Sequence, residues 1–141
     1  MKHIAYTYKQ YKGDINSLSK QVKASEKKYD LILGLERGGL VPAVHLSHKL
    51  GLPLKTLKWS SVYKDVSMMT YFLLRNKKIL LVDDIIDSGK TFHGVYERFW
   101  NMDSACLIYN SINEANINPK YYGRKINRNE IPEYFDFWWE Q

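Results

Sequence analysis

Short apolar runs alternate with amphipathic stretches along most of the chain. The runs "YDLILGL", "KKILLVDD" and "ACLIYN" have the length and aliphatic content of buried strands. Between them, apolar residues recur at helical spacing at Ile15, Leu18 and Val22, and again from Leu40 to Leu50. Strands separated by helices favour a parallel sheet with right-handed crossovers. The pattern therefore predicts an α/β fold in which helices flank a central parallel sheet.

Polar residues, glycines and prolines mark where these elements begin and end. Asp14 is a candidate cap for the first helix, and Gly51 and Pro53 stop the second one. "LPLKTLKW" predicts a further strand, and "KTFHGVYERFW" predicts a helix after the most apolar strand. We expect a loop over residues 60–69 and an extended segment over residues 70–74, "TYFLL". The turns that follow the strands lie where such sheets bind ligands.

Composition narrows the class of protein. The chain has 141 residues, 45% of them hydrophobic and 26% charged, which predicts one soluble domain spanning residues 1–141. No apolar run approaches the roughly 20 residues that span a bilayer, and the N-terminus lacks the apolar core of a secretory signal. We therefore expect a cytoplasmic protein without a membrane partner. The single cysteine, Cys106, is expected to be a buried strand residue. The net charge of +6 favours an anionic partner, and nucleic acid, a nucleotide or a phosphorylated sugar all fit.

The most unusual stretch is "LLVDDIIDSGKT", residues 80–91, in which three carboxylates follow a buried strand. Carboxylates this close repel one another, so a purely structural protein gains little from Asp83, Asp84 and Asp87 at the end of a strand. Ligands of open α/β sheets bind beyond the carboxyl ends of the strands, which is where these side chains are expected. Vicinal carboxylates there suit sugar hydroxyls and the hydration shell of Mg²⁺.

A phosphate site is predicted directly after the carboxylates. Ser88, Gly89, Lys90 and Thr91 lead from a loop into a helix, whose free backbone N–H groups and dipole favour an anion. The ending "GKT" also occurs in P-loops, but that motif requires a glycine at the position of Asp84, so we exclude a P-loop. A capped helix explains "SGKT" alone, but it leaves the acidic cluster unexplained.

Residues 79–91 together resemble the phosphoribosyl pyrophosphate (PRPP) binding motif of the type I phosphoribosyltransferases. The resemblance implies that Asp83 and Asp84 hold the ribose hydroxyls of PRPP, directly or through Mg²⁺, and that residues 88–91 hold its 5'-phosphate. Asp87 matches the carboxylate that faces N7 of the base in the purine-salvage branch, where it is a candidate general base. The implied reaction is displacement of pyrophosphate at the anomeric carbon by a ring nitrogen, through an oxocarbenium-like transition state.

The turn "GLERGGL" resembles the pyrophosphate loop of the same family. Gly38 and Gly39 allow the backbone to approach an anion closely, and Arg37 offers a planar fork for pyrophosphate oxygens. The resemblance adds Glu36 to this pyrophosphate-binding set. It also implies a non-proline cis peptide bond between Glu36 and Arg37.

Two further segments extend the resemblance over the whole chain. Ser61 and Tyr63 lie where the family has a flexible catalytic loop, and they resemble its Ser-Tyr pair. The tail "EIPEYFDFWWEQ" resembles the end of the bacterial xanthine-guanine phosphoribosyltransferases. This implies that Tyr134 stacks on the base and that Phe135 binds it through backbone groups. A small hood, formed mainly by residues 111–141 with an N-terminal contribution, is expected to carry them.

One position departs from the family pattern. Purine-salvage members place a lysine just after the last core strand, where it donates to the six-position oxygen of the base. This chain has Asn110 or Asn113 near that position, and Lys120 only later. An asparagine amide can donate to a carbonyl or accept from an amine, so the base itself stays open.

The sequence therefore predicts a Mg²⁺-dependent phosphoribosyltransferase that uses PRPP and a nucleobase, with guanine, xanthine or hypoxanthine favoured. The resemblance also implies a homo-oligomer, either a dimer or a tetramer. Two alternatives stay open: a non-catalytic sensor of PRPP or a nucleotide that binds nucleic acid, and transfer to a non-purine acceptor. Asp87 and the aromatic tail favour the enzyme, because a sensor needs neither, so nucleic acid is not expected as a partner.

Overall fold

The computed structural model describes residues 2–59, 73–99 and 101–141, and its centre is a parallel sheet. The strands are β1 (His3–Tyr6), β2 (Leu31–Glu36), β3 (Leu54–Lys58), β4 (Ile79–Ile86), β5 (Met102–Asn110), β6 (Tyr121–Ile126) and β7 (Tyr134–Phe137). The helices are α1 (Tyr8–Ala24), α2 (Leu40–Leu50) and α3 (Lys90–Arg98), and a 3₁₀ turn, Trp138–Glu140, follows β7. Within the described residues the central sheet has the order β3-β2-β4-β5-β6, all parallel. The predicted α/β fold is confirmed.

Both faces of the three inner strands, β2, β4 and β5, are buried, which explains why these strands are largely apolar. Along β4, Leu80 and Val82 belong to the core cluster that α1 and α2 cover, whereas Ile79 and Leu81 belong to the cluster on the α3 side. Cys106 is fully buried in β5, as its apolar surroundings predicted. With both faces covered, a ligand can approach the sheet only at the ends of its strands.

Helix α1 begins earlier than the hydrophobic pattern predicts. The hydroxyl of Thr7 accepts a hydrogen bond from the backbone N–H of Gln10 at 3.2 Å, and the Gln10 side chain accepts one from the backbone N–H of Thr7 at 2.9 Å. This reciprocal pair is a capping box, which satisfies donors of the first helical turn. The prediction that Asp14 caps the helix is wrong. Asp14 lies inside α1, where its buried carboxylate accepts hydrogen bonds from Tyr6 and Arg124.

Some elements are not visible in the hydrophobic pattern. β1 and β7 have only four residues each, and β6, "YYGRKI", carries two basic residues. The extended segment predicted over residues 70–74 is wrong at Leu73 and Leu74, which are helical, while residues 70–72 lie outside the described part. Leu74 is buried in the α3-side cluster, so its apolar character reflects core packing rather than a strand. Across the described helices, none combines the length and apolar character required to cross a membrane.

Strands β1 and β7 pair in parallel and form a separate two-stranded sheet, the terminal sheet. His3 lies opposite Tyr134, and Tyr6 lies opposite Phe137. The rings of Tyr6 and Phe137 meet edge to face with their centres 5.3 Å apart, and Phe137 stacks on Trp139 at 4.7 Å. Tyr6 and Phe137 are also members of the core cluster under α1 and α2. The terminal sheet is therefore fixed to the body of the protein through that core.

Candidate active site

The turn after β2 lies directly against the end of β4. A methyl group added to Gly38 would lie 2.1 Å from Oδ2 of Asp84, and one added to Gly39 would lie 3.0 Å from Cα of Asp83. At Gly38 such a separation leaves no room for any side chain, so the backbone approaches the carboxylate as only glycine allows. The predicted pyrophosphate turn and the predicted ribose-binding carboxylates are therefore neighbours in space.

The peptide bond between Glu36 and Arg37 is cis, as the family resemblance implied. Both side chains are exposed at the carboxyl edge of the sheet. The carbonyl of Arg37 accepts a hydrogen bond from the backbone N–H of Leu40 at 3.1 Å, so the turn leads directly into α2. The positive end of the α2 dipole thus lies beside the turn, and it favours an anion there.

Asp83 and Asp84 form a tightly held acidic pair. The Asp83 carboxylate accepts a hydrogen bond from the backbone N–H of Asp84 at 2.9 Å, and the Asp84 carboxylate accepts one from the N–H of Ile85 at 2.7 Å. Burial, followed by the charge of Asp84, raises the pKa of Asp83 well above its usual range. Burial also raises the pKa of Asp84, and the Glu140 carboxylate of the 3₁₀ turn adds to the rise. The ionised form of two buried, neighbouring carboxylates is stabilised by a nearby cation or by hydroxyl groups that donate hydrogen bonds to them.

The loop after β4 forms a cradle at the start of α3. Gly89 precedes the helix with φ of 79°, in the left-handed region that favours glycine. Gly89 has no side chain that could cap the helix. The free backbone N–H groups of the first turn of α3 therefore suit an oxyanion. The backbone N–H of Lys90 donates to the Ser88 hydroxyl at 3.3 Å, and the carbonyl of Ser88 accepts from the N–H of Ala115 at 3.0 Å. The predicted phosphate residues, Ser88 to Thr91, therefore lie together where the helix begins.

Asp87, the candidate general base, forms a bidentate ion pair with Arg128. Nε and Nη2 of the guanidinium donate to Oδ1 and Oδ2 of the carboxylate, both at 2.9 Å. Nη1 donates to the carbonyl oxygens of Ile131 and Glu133 at 3.2 and 2.5 Å. The Asp87 side chain is 47% exposed and that of Arg128 only 18%. Arg128 thus ties the loop after β4 to the segment that leads into β7, while much of Asp87 stays open to a ligand.

Asn110 and Asn113, the residues nearest the family's lysine position, hold the backbone around this site. The Asn110 amide donates to the carbonyl of Asp87 at 3.0 Å, and its Oδ1 accepts from the backbone N–H of Arg128 at 3.3 Å. The Asn113 amide donates to the carbonyls of Asn110 and Ile117 at 2.9 and 2.8 Å. Both side chains are buried. These hydrogen bonds shape the loop around Asp87, and the Asn113 amide is fully engaged by the two backbone carbonyls.

The predicted base-binding residues lie on β7, beside the ion pair. Tyr134 is 52% exposed, and its ring centre is 5.9 Å from that of His3. Phe135 is half-buried, and Cζ of Arg128 lies 5.4 Å from the centre of its ring. A cavity of about 400 Å³ is lined by Asp87, Ser88, Asn110, Ile112, Glu114 and Arg128. Its volume lies in the range of small-molecule sites.

Comparison with known proteins identifies the family. The chain matches the model of the phosphoribosyl transferase domain over residues 7–131. The chain belongs to this phosphoribosyltransferase family. It is similar to the purine phosphoribosyltransferase from Pyrococcus horikoshii Ot3, with 30% identity, a TM-score of 0.78, and coverage of 100% of this chain and 96% of that chain.

Two more distant structures share the fold. The Helicobacter pylori xanthine-guanine-hypoxanthine phosphoribosyltransferase is 23% identical with a TM-score of 0.73, covering 98% of this chain and 93% of that one. A hypothetical protein from Neisseria gonorrhoeae with bound ppGpp is 21% identical with a TM-score of 0.77, covering 99% and 90%. The protein is thus a phosphoribosyltransferase enzyme, and its family transfers the phosphoribosyl group of PRPP.

In this phosphoribosyltransferase, the structure brings most of the predicted residues to one edge of the sheet. The exceptions are Ser61 and Tyr63, which lie outside the described residues. Among residues 2–59, 73–99 and 101–141, no group of three or more His, Cys, Asp or Glu side chains is arranged to hold a metal ion. No pattern in the sequence marks Arg128, because it is a single basic residue among polar ones and its partner Asp87 is 41 positions away.

Proposed function

We propose that this phosphoribosyltransferase transfers the 5-phosphoribosyl group of PRPP to guanine, xanthine or hypoxanthine in a Mg²⁺-dependent reaction. The observation that carries the proposal is the contact of Gly38 with Asp84, which joins a turn suited to pyrophosphate with a carboxylate pair suited to ribose. The start of α3, suited to a phosphate, lies at the same edge of the sheet. Three such sites side by side fit a sugar that carries a phosphate at one end and a pyrophosphate at the other.

In the proposed complex, PRPP lies across the carboxyl ends of β2 and β4. Residues 88–91 bind the 5'-phosphate through backbone N–H groups and hydroxyls. Asp83 and Asp84 accept hydrogen bonds from the ribose hydroxyls. The turn of residues 36–39 binds the pyrophosphate, with Arg37 as its cation and the glycines giving access to the backbone.

The donor set at the acidic pair fits Mg²⁺. Asp83 and Asp84 would hold the ion, since they supply the carboxylate oxygens that this hard cation prefers. Burial raises the pKa of both carboxyl groups, and a bound cation would favour their ionised forms. When bound, the ion neutralises charge that develops on the leaving pyrophosphate.

The proposed reaction exchanges one bond at the anomeric carbon. The bond from C1 of the ribose to the pyrophosphate oxygen breaks, and N9 of the base forms the new bond with inversion. Asp87 takes the proton that the base gives up at N7, since its carboxylate is partly exposed beside the cavity. Tyr134 holds the base by stacking, and Phe135 binds it through its backbone.

The test is pyrophosphate release from PRPP with Mg²⁺ across guanine, xanthine, hypoxanthine, adenine, uracil and orotate. We expect turnover on an oxopurine, reduced by about 10²–10⁴-fold in Asp87→Asn. Asp103→Asn is the control. Asp103 also forms an ion pair, with Oδ2 3.3 Å from Nζ of Lys27. It lies at the start of β5, on the opposite edge of the sheet from Asp87. Turnover on no base, or only on a pyrimidine, would contradict the proposal.

We also propose that residues 1–141 form one domain, with residues 111–141 contributing most of the hood, and that the protein is a homodimer or homotetramer. The family resemblance supports both statements. A single cooperative unfolding transition is expected for one domain. Light scattering of the purified protein gives the number of subunits, and a monomer would contradict the proposed assembly.

A further inference from the structure

Arg128 is the only cationic residue among the six described residues that line the cavity beside Asp87. The amide donors of Asn110, which also lines it, include one that is bound to the carbonyl of Asp87. Arg128 itself is held from several sides, by Asp87, by two backbone carbonyls and by the ring of Phe135. A charged donor that is held rigidly in the wall of a cavity is suited to recognising one particular acceptor group of a ligand.

The hydrogen bonds of the guanidinium leave one donor for a ligand. A guanidinium has five N–H groups, and four of them bind the Asp87 carboxylate and the carbonyls of Ile131 and Glu133. The fifth is the second N–H of Nη2, and no acceptor in the described part of the chain is bonded to it. Because the guanidinium is planar, this N–H lies in the plane of the group, on the nitrogen that also contacts Oδ2 of Asp87.

Asp87 and Nη2 of Arg128 therefore present an acceptor and a donor side by side. The complementary ligand is a flat heterocycle with an N–H beside a carbonyl oxygen. A 6-oxopurine has this edge, since N7–H lies beside O6. A 6-aminopurine would instead direct an amino N–H at the N–H of Nη2. Two donors cannot bond to each other, so the aminopurine complex lacks a hydrogen bond that the oxopurine complex has.

We propose that Arg128 selects 6-oxopurines over 6-aminopurines, by donating from Nη2 to the six-position oxygen while Asp87 accepts the proton at N7. The inference rests on the proposed function, because it requires the base to lie in the cavity beside Asp87. It assigns to Arg128 the recognition that the Asn113 amide does not provide, since that amide donates to the backbone carbonyls of Asn110 and Ile117.

The test is the ratio of kcat/KM for hypoxanthine to kcat/KM for adenine. In Arg128→Gln this ratio is expected to fall about 10–100-fold, the effect of losing a hydrogen bond from a charged donor. The KM for PRPP should change far less than this ratio, because Arg128 is bonded to Asp87 and to the backbone of Ile131 and Glu133, not to the residues proposed to bind PRPP. Arg128→Lys keeps a cationic donor, so its ratio should exceed that of Arg128→Gln.

Arg124→Gln is the matched control. Arg124 forms the same kind of bidentate pair, with Nε and Nη2 at 2.7 and 3.2 Å from the Asp14 carboxylate, but it does not line the cavity. This variant should lose stability and keep the base ratio of the wild type. A folded Arg128→Gln enzyme with an unchanged ratio would overturn the inference while leaving oxopurine transfer intact.

A binding measurement separates this inference from the proposed function. Hypoxanthine and adenine are titrated calorimetrically, without PRPP, into the wild type and into Arg128→Gln. If no base turns over, the proposed function fails, yet tighter binding of hypoxanthine than of adenine that disappears in Arg128→Gln would still support the role of Arg128. Equal affinity of the wild type for the two bases, or no binding of either, would overturn it.

Discussion

The backbone of Gly38 lies against the carboxylate of Asp84 so closely that no side chain fits between them. The two residues follow neighbouring strands, since β2 pairs with β4 in the central sheet. A displacement of either residue must therefore be transmitted to the other. The turn of residues 36–39 and the acidic pair act as one unit of structure.

Gly38→Ala should damage both stability and catalysis. The added methyl group would lie 2.1 Å from Oδ2 of Asp84, so the carboxylate or the turn must move. We expect a loss of about 1–3 kcal/mol in the free energy of unfolding. The accompanying shift in geometry should lower kcat/KM for PRPP by at least about tenfold. Urea denaturation and pyrophosphate release measure the two effects.

Gly13→Ala is the control for this substitution. Gly13 is exposed inside α1, and an added methyl group would meet nothing within 4 Å. It should stabilise the protein by about 0.5–1 kcal/mol, because alanine favours helices more than glycine does, and it should leave kcat/KM unchanged. If Gly38→Ala behaved like Gly13→Ala, the close contact with Asp84 would be disproved.

Gly89→Ala should weaken PRPP binding through the cradle at α3. Gly89 has φ of 79°, and an added methyl group would lie 2.7 Å from Oδ1 of Asn113 and 3.0 Å from Cβ of Ala115. Gly51→Ala is the matched control, since Gly51 also has a positive φ, 65°, but a methyl group added there would have no atom within 4 Å. Gly51→Ala should cost about 1–2 kcal/mol from backbone strain alone. Gly89→Ala should lower the free energy of unfolding by more than Gly51→Ala does, and it should also raise the KM for PRPP. An equal loss of stability in the two variants, with the KM for PRPP unchanged in both, would refute the crowding at Gly89.

Asp83→Asn should make stability less dependent on pH. Burial raises the pKa of Asp83 in the folded protein, so between its unfolded pKa, about 3.9, and its raised folded pKa the native state holds more protons than the unfolded one. The free energy of unfolding of the wild type should therefore fall as the pH rises through this window. Asp83→Asn removes the part of this decline that Asp83 causes, while the part caused by Asp84 remains. The variant should be the more stable protein at neutral pH and should lose PRPP turnover.

Urea denaturation in EDTA over a series of pH values measures this effect. Glu130→Gln removes a carboxylate from an exposed position before β7 and serves as the comparison. Parallel stability curves for the wild type and Asp83→Asn would show that burial of Asp83 does not carry the pH dependence.

Tyr6→Phe should weaken the contact between the terminal sheet and α1 and so lower the stability of the protein. The Tyr6 hydroxyl donates to Oδ2 of Asp14 at 2.5 Å. Burial and this hydrogen bond raise the pKa of Tyr6 above its usual range, so the hydroxyl remains a donor at neutral pH. Loss of a hydrogen bond to a charged group should cost about 1.5–3 kcal/mol in the free energy of unfolding. Tyr8→Phe, at a residue that is 56% exposed, should change it by no more than about 0.5 kcal/mol.

The inner strands of the central sheet could be predicted from the sequence because each is a short, largely apolar run of consecutive residues. β4 and β5 are covered on both faces, so each forms an apolar run that needs no knowledge of its neighbours. The acidic pair and the loop after it could also be predicted, since those residues are consecutive. The cis bond at Glu36–Arg37 was implied by the resemblance of this turn to the pyrophosphate loop of the family.

Contacts between distant polar residues could not be predicted in this way. Asp14 binds Arg124, which is 110 positions away, and Asp87 binds Arg128 across 41 positions. Neither pair produces a periodic pattern, because the two members of each pair lie on elements that are far apart in the sequence. The role of Asn110 was hidden for a similar reason: its partner is the backbone carbonyl of Asp87, and any sequence has a carbonyl there.

The parallel pairing of β1 with β7 affects how the protein is made. Of the described strands, β1 leaves the ribosome first and β7 last, so β1 must wait for its partner while the central sheet is already able to fold. The segment that carries Tyr134 and Phe135 is then the last to dock. A newly synthesised chain therefore acquires the surfaces proposed to bind the sugar and its phosphates before it acquires β7, which carries the residues proposed to contact the base.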